Sequence, residues 1–168
     1  LYGSGQAIGN YSTVGGTIAV TTKSPEAKAY REVGIKAGTY GRRQAHFDLN
    51  QPLNDAWAFR INGETDRSDS ETQGVFFRKT ALNPSLAWSP DAKTKVVIKA
   101  RMLDNTTVDF SGLPRASANS HEPAAGLSRS TFVTATGLPD TTQKSRGLNV
   151  QWTQVLNDDW TFLSLIHI

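Results

Sequence analysis

From Arg31 onward, apolar and polar residues alternate with a period of two. The clearest run is residues 56–67: Trp57, Phe59, Ile61, Gly63 and Thr65 fall on one side, and Ala58, Arg60, Asn62, Glu64 and Asp66 on the other. Successive side chains of a strand point to opposite faces, so such a run predicts a ribbon with one apolar and one charged face. The same alternation recurs through Val33/Ile35, Ala45/Phe47/Leu49, Leu82/Leu86/Trp88, Val96/Ile98/Met102 and Leu148/Val150/Trp152. The prediction is an all-β protein with about six to seven antiparallel strands, several near ten residues long. Pro84 falls inside one of them and cannot donate a ladder hydrogen bond, so a bulge or irregular pairing is expected there.

The connections alternate as well. "LNDAW" (53–57), "SPDAKT" (89–94) and "LNDDW" (156–160) are short Asn/Asp/Pro turns. Between them lie "TYGR" (39–42), the polar "SDSETQG" (68–74) and one long stretch, 104–144. Trp57, Trp88 and Trp160 adjoin the short turns, which puts an aromatic level on one side of the sheet. Strands of about 9–11 residues, short turns on one side only and a tryptophan level are what a transmembrane barrel requires. Charge placement agrees. The outliers on the apolar face, Arg43, Arg78 and Arg146, lie at the long-loop ends, whereas Lys36, Asp48, Arg60, Lys99 and Arg101 call for a wet or protein-filled interior.

Composition narrows the chemistry. The 168 residues carry 18 basic and 15 acidic side chains with no block of like charge, which argues against nucleic-acid binding. There is no cysteine, so disulfides and thiolate chemistry are excluded. No catalytic constellation stands out. His46 lies on a polar strand face, His121–Glu122 lacks a second histidine, and no G-x-S-x-G elbow occurs. The chain is therefore expected not to be an enzyme and to hold no cofactor or metal. The glycine-rich opening, "GSGQAIG", misses the dinucleotide fingerprint by one position and has no P-loop Lys-Ser/Thr, so glycines there are read as places of close backbone approach.

That opening carries a resemblance. Leu1, Tyr2 and Gly3, then Gly15 and Gly16, then a strand-like run ending in Thr22, Lys23 and Pro25, resemble the end of the plug domain of TonB-dependent outer-membrane receptors of the ferric-siderophore type. "LNDAWAFRINGETDRS" and "NPSLAWSPDAKT" are similar to the early barrel hairpins of that family, and "DFSGLPR" (109–115) to the start of its third extracellular loop. Residues 6–14 separate the two halves of the plug motif by more than the family usually has.

The resemblance implies a division into the C-terminal end of a plug (1–30) and the N-terminal strands of an outer-membrane β-barrel (31–162). The last six residues, 163–168, are expected to be an adapter-derived tail. It further implies a fragment of a larger receptor in the outer membrane of a Gram-negative bacterium, taking up a ferric siderophore. The expected partners are outer-membrane lipid and, through a segment upstream of Leu1, a TonB-type inner-membrane energy-transducing protein. Phe110, Arg115, His121, Arg129 and Phe132 in the long loop are the candidate substrate contacts, because arginines and aromatics suit bulky anionic chelates. Two other readings stand beside it: a passive porin-like channel, and a soluble extracellular β-sandwich used for adhesion. A receptor places the opening segment against the polar face; a porin leaves that face wet; a sandwich covers the apolar face with a second sheet.

Overall fold

In the computed structural model, the residues described are 22–110, 112–128, 130–133 and 140–168. They form one antiparallel sheet of seven strands in sequence order: β1 (Tyr30–Ala37), β2 (Arg43–Pro52), β3 (Trp57–Asp69), β4 (Phe76–Trp88), β5 (Thr94–Thr107), β6 (Thr141–Val155) and β7 (Thr161–His167). Each strand pairs only with its chain neighbours, and the sheet is open between β1 and β7. The long strands run to 13–15 residues.

The register aligns every alternation found in the sequence. Asp48, Asn62 and Asn83 stand side by side on one face, and Leu49, Ile61 and Pro84 on the other. Pro84 causes no bulge. Partners of β4 and β5 skip Asn83 and Pro84 but resume in the same register at Ser85↔Lys99. A missing donor interrupts the ladder without inserting a residue.

The three short turns share one device. The Asn54 side-chain carbonyl accepts from the Ala56 and Trp57 amides, both at 2.9 Å. Asn157 accepts from Asp159 (3.1 Å) and Trp160 (2.9 Å), and Asp91 from Lys93 and Thr94 (2.7 Å each). A short side-chain acceptor at the first turn residue thus satisfies two amides that the reversal would leave open. Those amides also hold the Asp91 carboxyl below its ordinary range, the Lys93 amide first. The "TYGR" turn works differently: Tyr40 and Gly41 both take positive φ, 55° and 65°, and the Arg42 amide donates back to the Thr39 carbonyl at 3.2 Å.

Burial is inverted relative to a water-soluble sheet. The buried side chains include Asp48, Asn50, Arg60, Asp66 and Ser85, while Val33 and Ile35 are 79% and 81% exposed. Phe47, Ile98, Met102, Leu148, Trp152 and Ile166 are exposed as well, all on the apolar face. No second sheet covers that face among the described residues.

Sequence reasoning misjudged two boundaries. β5 runs on to Thr107 and β6 begins at Thr141, so the long loop is 108–140 rather than 104–144. β3 runs through Ser68 and Asp69, which the sequence assigned to a loop. Both faces of these strand ends are polar, so the period-two signal fades where pairing continues. At the other end, residues 163–167 pair with β6 as part of β7.

Candidate functional site

The polar face is occupied at one place by the segment that precedes β1. Arg60 on β3 is its anchor. Its Nε and Nη2 donate to the two Asp48 oxygens on β2, both at 2.9 Å. Its Nη1 donates to the Ser24 carbonyl (3.0 Å) and to Glu26 Oε1 (2.7 Å). The guanidinium is planar and forked, so one residue ties the wall to the segment through two parallel bonds on one side and two on the other. Lys23 Nζ completes Asp48 at 2.5 Å.

Asn50 acts as a substitute strand partner. Its side-chain amide donates to the carbonyls of Glu26 (2.9 Å) and Lys28 (2.7 Å), and its oxygen accepts from the Glu26 amide (2.9 Å). It is fully buried, and both of its N–H donors and its carbonyl oxygen are hydrogen-bonded. Lys99 on β5 donates to the Thr22 carbonyl at 2.9 Å, and Pro25, within the segment, is buried. Residues 22–28 are thus fixed to β2, β3 and β5 by charge and amide groups, not by apolar packing.

Beyond the clasp, the same face opens into a groove of about 650 Å³ lined by Lys36, His46, Glu64, Lys79, Asn83 and Arg101 among others. His46 lies over Gly34, where a side chain would collide with its ring, and faces Glu32 at 3.2 Å. Glu64 and Lys79 form an ion pair. Among the described residues no group of three or more His, Asp or Glu is placed to hold a metal ion. Asp66, on the polar face of the 56–67 ribbon, is buried and pairs with Arg42 at 3.0 Å.

The long loop is braced at its base. Phe110 and Phe132 stack at 5.9 Å, Thr141 Oγ1 donates to Asp109 at 2.6 Å, and the Gln73 amide donates to the Ser130 carbonyl at 3.0 Å, tying this loop to the β3–β4 connection. Arg115 bridges to Pro123 through the backbone and its side chain is exposed, as is His121. Of the five candidate contacts, two are brought into touch with each other, two stand apart in solvent, and Arg129 lies outside the described residues.

No family model matches the chain. Among curated proteins, a ferrioxamine B receptor of Salmonella typhimurium is 35% identical over 106 residues, covering 61% of this chain and 15% of the receptor. A metal-pseudopaline receptor of Pseudomonas aeruginosa is 26% identical over 172 residues, covering 99% of this chain and 22% of its own length. Among solved structures, the ferric-catecholate import receptor Fiu of Escherichia coli superposes with a TM-score of 0.76 at 17% identity, over 87% of this chain and 22% of that one. The chain is kin to the TonB-dependent siderophore receptors. It spans about a ninth to a fifth of the length of the curated relatives it matches (11–22%).

The contact between residues 22–28 and the polar face is made by the part of the chain that carries the resemblance to the end of a plug domain. Thr22, Lys23 and Pro25 of the plug motif take part in it directly; Leu1, Tyr2, Gly3, Gly15 and Gly16 lie outside the described residues. Sequence reasoning put Arg60, Asp48 and Lys99 on the interior face but did not join them into a clasp, and it missed Asn50. The available signal was Asn50 two positions from Asp48 on the same face, with Arg60 opposite it in the neighbouring run.

The tryptophans gather at one level of the sheet. Trp57 and Trp88 are register partners with rings 6.0 Å apart, and Trp160 stands 69% exposed beside its turn. Trp152 joins the same level, since Trp88 pairs with Val96 and Val96 with Trp152. Its ring meets Phe162 edge-on at 5.4 Å. All four tryptophans of the chain therefore lie toward the short-turn side.

Proposed function

We propose that this chain is part of an outer-membrane receptor that imports a ferric siderophore by energy-coupled transport. The observation that carries the reading is the docking of residues 22–28 on the charged face through Arg60, Asp48 and Asn50, while the opposite, apolar face is bare. A bare apolar face of this extent suits hydrocarbon, and a charged inner wall suits a plug. A porin leaves the inner wall to water, and nothing favours that reading here.

The relatives named for ferrioxamine and pseudopaline make a metal chelate the natural cargo. Binding and transport need no covalent step, and the relatives are receptors and transporters. The cargo would meet the long-loop side, where the Phe110–Phe132 stack offers a flat apolar surface and Arg115 an exposed guanidinium. A TonB-type inner-membrane protein would supply the work by pulling on the plug. The test is growth on defined iron chelates in iron-depleted medium, with the intact gene present or deleted. Loss of growth on at least one ferric siderophore, restored by the gene and abolished again without the energy-transducing protein, is expected. Equal growth of both strains on hydroxamate, catecholate and carboxylate chelates would refute the reading.

A further inference from the structure

Lys79 on β4 has two sets of acceptors within reach and serves one of them. Its register partners on the polar face are Asp66 on β3 and Asn105 on β5. Its ammonium passes both and pairs diagonally with Glu64, one row deeper, where Glu64 and Lys79 together line the groove. Asp66 Oδ1 and Asn105 Oδ1 are left buried, and neither has a hydrogen-bond partner among the described residues. Asp66 as a whole is only 8% exposed. Directly opposed residues of a sheet have Cβ atoms about 5 Å apart, well within the span of a lysine, so distance does not explain the choice.

Charge does. Asp66 already holds the Arg42 guanidinium on its Oδ2 at 3.0 Å. Glu64 has no cation besides Lys79 among the described residues: His46, its register partner, is turned to Glu32 at 3.2 Å, and Lys36 and Arg101 line the groove without pairing with it. The lysine therefore goes to the carboxylate that has no other counter-charge, and two buried acceptors stay open. An open buried acceptor is costly, because it has given up water without gaining a donor. An ammonium has three donors. A second cation on Glu64 would let Lys79 turn to its own row, where Asp66 and Asn105 flank it.

We propose that Glu64 is a site for a protonated amine carried by the cargo, and that Lys79 occupies the site until the amine arrives and then moves to Asp66 and Asn105. The proposal rests on the reading above that the receptor takes a ferric chelate, and it names one feature of that chelate, a pendant primary amine. Exchanging one ammonium for another keeps Glu64 neutralised and closes the two open acceptors. A chelate whose amine is acylated has no charge to offer Glu64, so Lys79 stays where it is.

The experiment measures binding of ferric chelates to the full-length receptor by titration calorimetry. The probes are matched pairs, one hydroxamate and one catecholate, each with a terminal primary amine or with that amine acetylated. In at least one pair the amine member is expected to bind tenfold tighter or better. Glu64→Gln should abolish the preference. Lys79→Met should strengthen binding of the amine member three- to tenfold, because the internal competitor is gone, and should leave the acetylated member unchanged. Asn105→Leu, which removes part of the second position, should weaken amine binding about threefold in the unaltered background and not at all once Lys79 is replaced. Folding is read from heat-modifiable gel mobility; should Lys79→Met not fold, Lys79→Gln carries the same expectation. Equal binding within every pair, weaker or unchanged amine binding by the Lys79 variants, or an Asn105→Leu effect that is the same with and without Lys79 overturns the proposal. A receptor that binds neither member of either pair would refute the import reading itself, and this proposal with it, a distinct outcome.

Discussion

Replacing Arg60 by Gln should release residues 22–28 from the wall. Arg60 makes four hydrogen bonds, two to Asp48 and two to the segment, and both charged side chains are buried, at 8% and 3% side-chain exposure. Removing one member of a buried ion pair costs about 3–5 kcal/mol, because the other charge is left without its partner. Here Lys23 still reaches Asp48, so the lower end, about 3 kcal/mol, applies. At about 1.4 kcal/mol per decade, this is roughly a hundredfold in the opening equilibrium of the segment. Amide exchange of the full-length receptor reads it directly. The Glu26 amide, which donates to Asn50, should exchange about a hundredfold faster in Arg60→Gln, while amides of the β5–β6 ladder stay as they were. The paired replacement Asp48→Leu with Arg60→Met should cost less than Arg60→Gln alone, since it leaves no buried charge. Exchange of Glu26 within threefold of the unaltered protein would show that the clasp does not hold the segment.

Two further outcomes concern the wall. Gly63→Val should destabilise the barrel by about 1–3 kcal/mol, since a Cβ there would stand 2.7 Å from the Phe47 ring and 3.0 Å from the Ala81 carbonyl; adding Phe47→Ala should recover part of the loss, as calorimetry would register. Asn54→Ala and Asn157→Ala should each cost about 1 kcal/mol and act additively, because each removes the same pair of side-chain-to-amide bonds from turns far apart on the sheet; urea unfolding rates measured in micelles would report both.

Alternation made the sheet legible before any coordinates, because a lipid-facing wall leaves one face apolar along most of each strand's length. Ile61 between Arg60 and Asn62 can be placed on only one side. The same logic fails at the ends. Asp104–Thr107 and Thr141–Lys144 pair normally, yet lie beyond the band in which outward residues must be apolar, so they read as loop. Arg146 shows the complementary effect. Its register partner is Met102, in the row of Phe47, Gly63 and Leu82, deeper than its place near the predicted loop suggests. It reaches toward the rim to Asp104 and the Leu103 carbonyl, so its charge lies farther out than its backbone. The clasp was half legible: a buried-face arginine and aspartate on adjacent runs are visible in sequence, but the backbone of residues 22–28 as their other partner is a tertiary fact.

The central claim is that neighbouring residues of one strand meet opposite surroundings, hydrocarbon on one side and plug on the other. The chain has no cysteine, so Ile61→Cys and Asn62→Cys can each carry a single fluorophore in the full-length receptor in nanodiscs. Brominated lipid should quench the label at position 61 strongly and the label at position 62 hardly at all. Equal quenching at both positions, or quenching only at 62, would contradict the account.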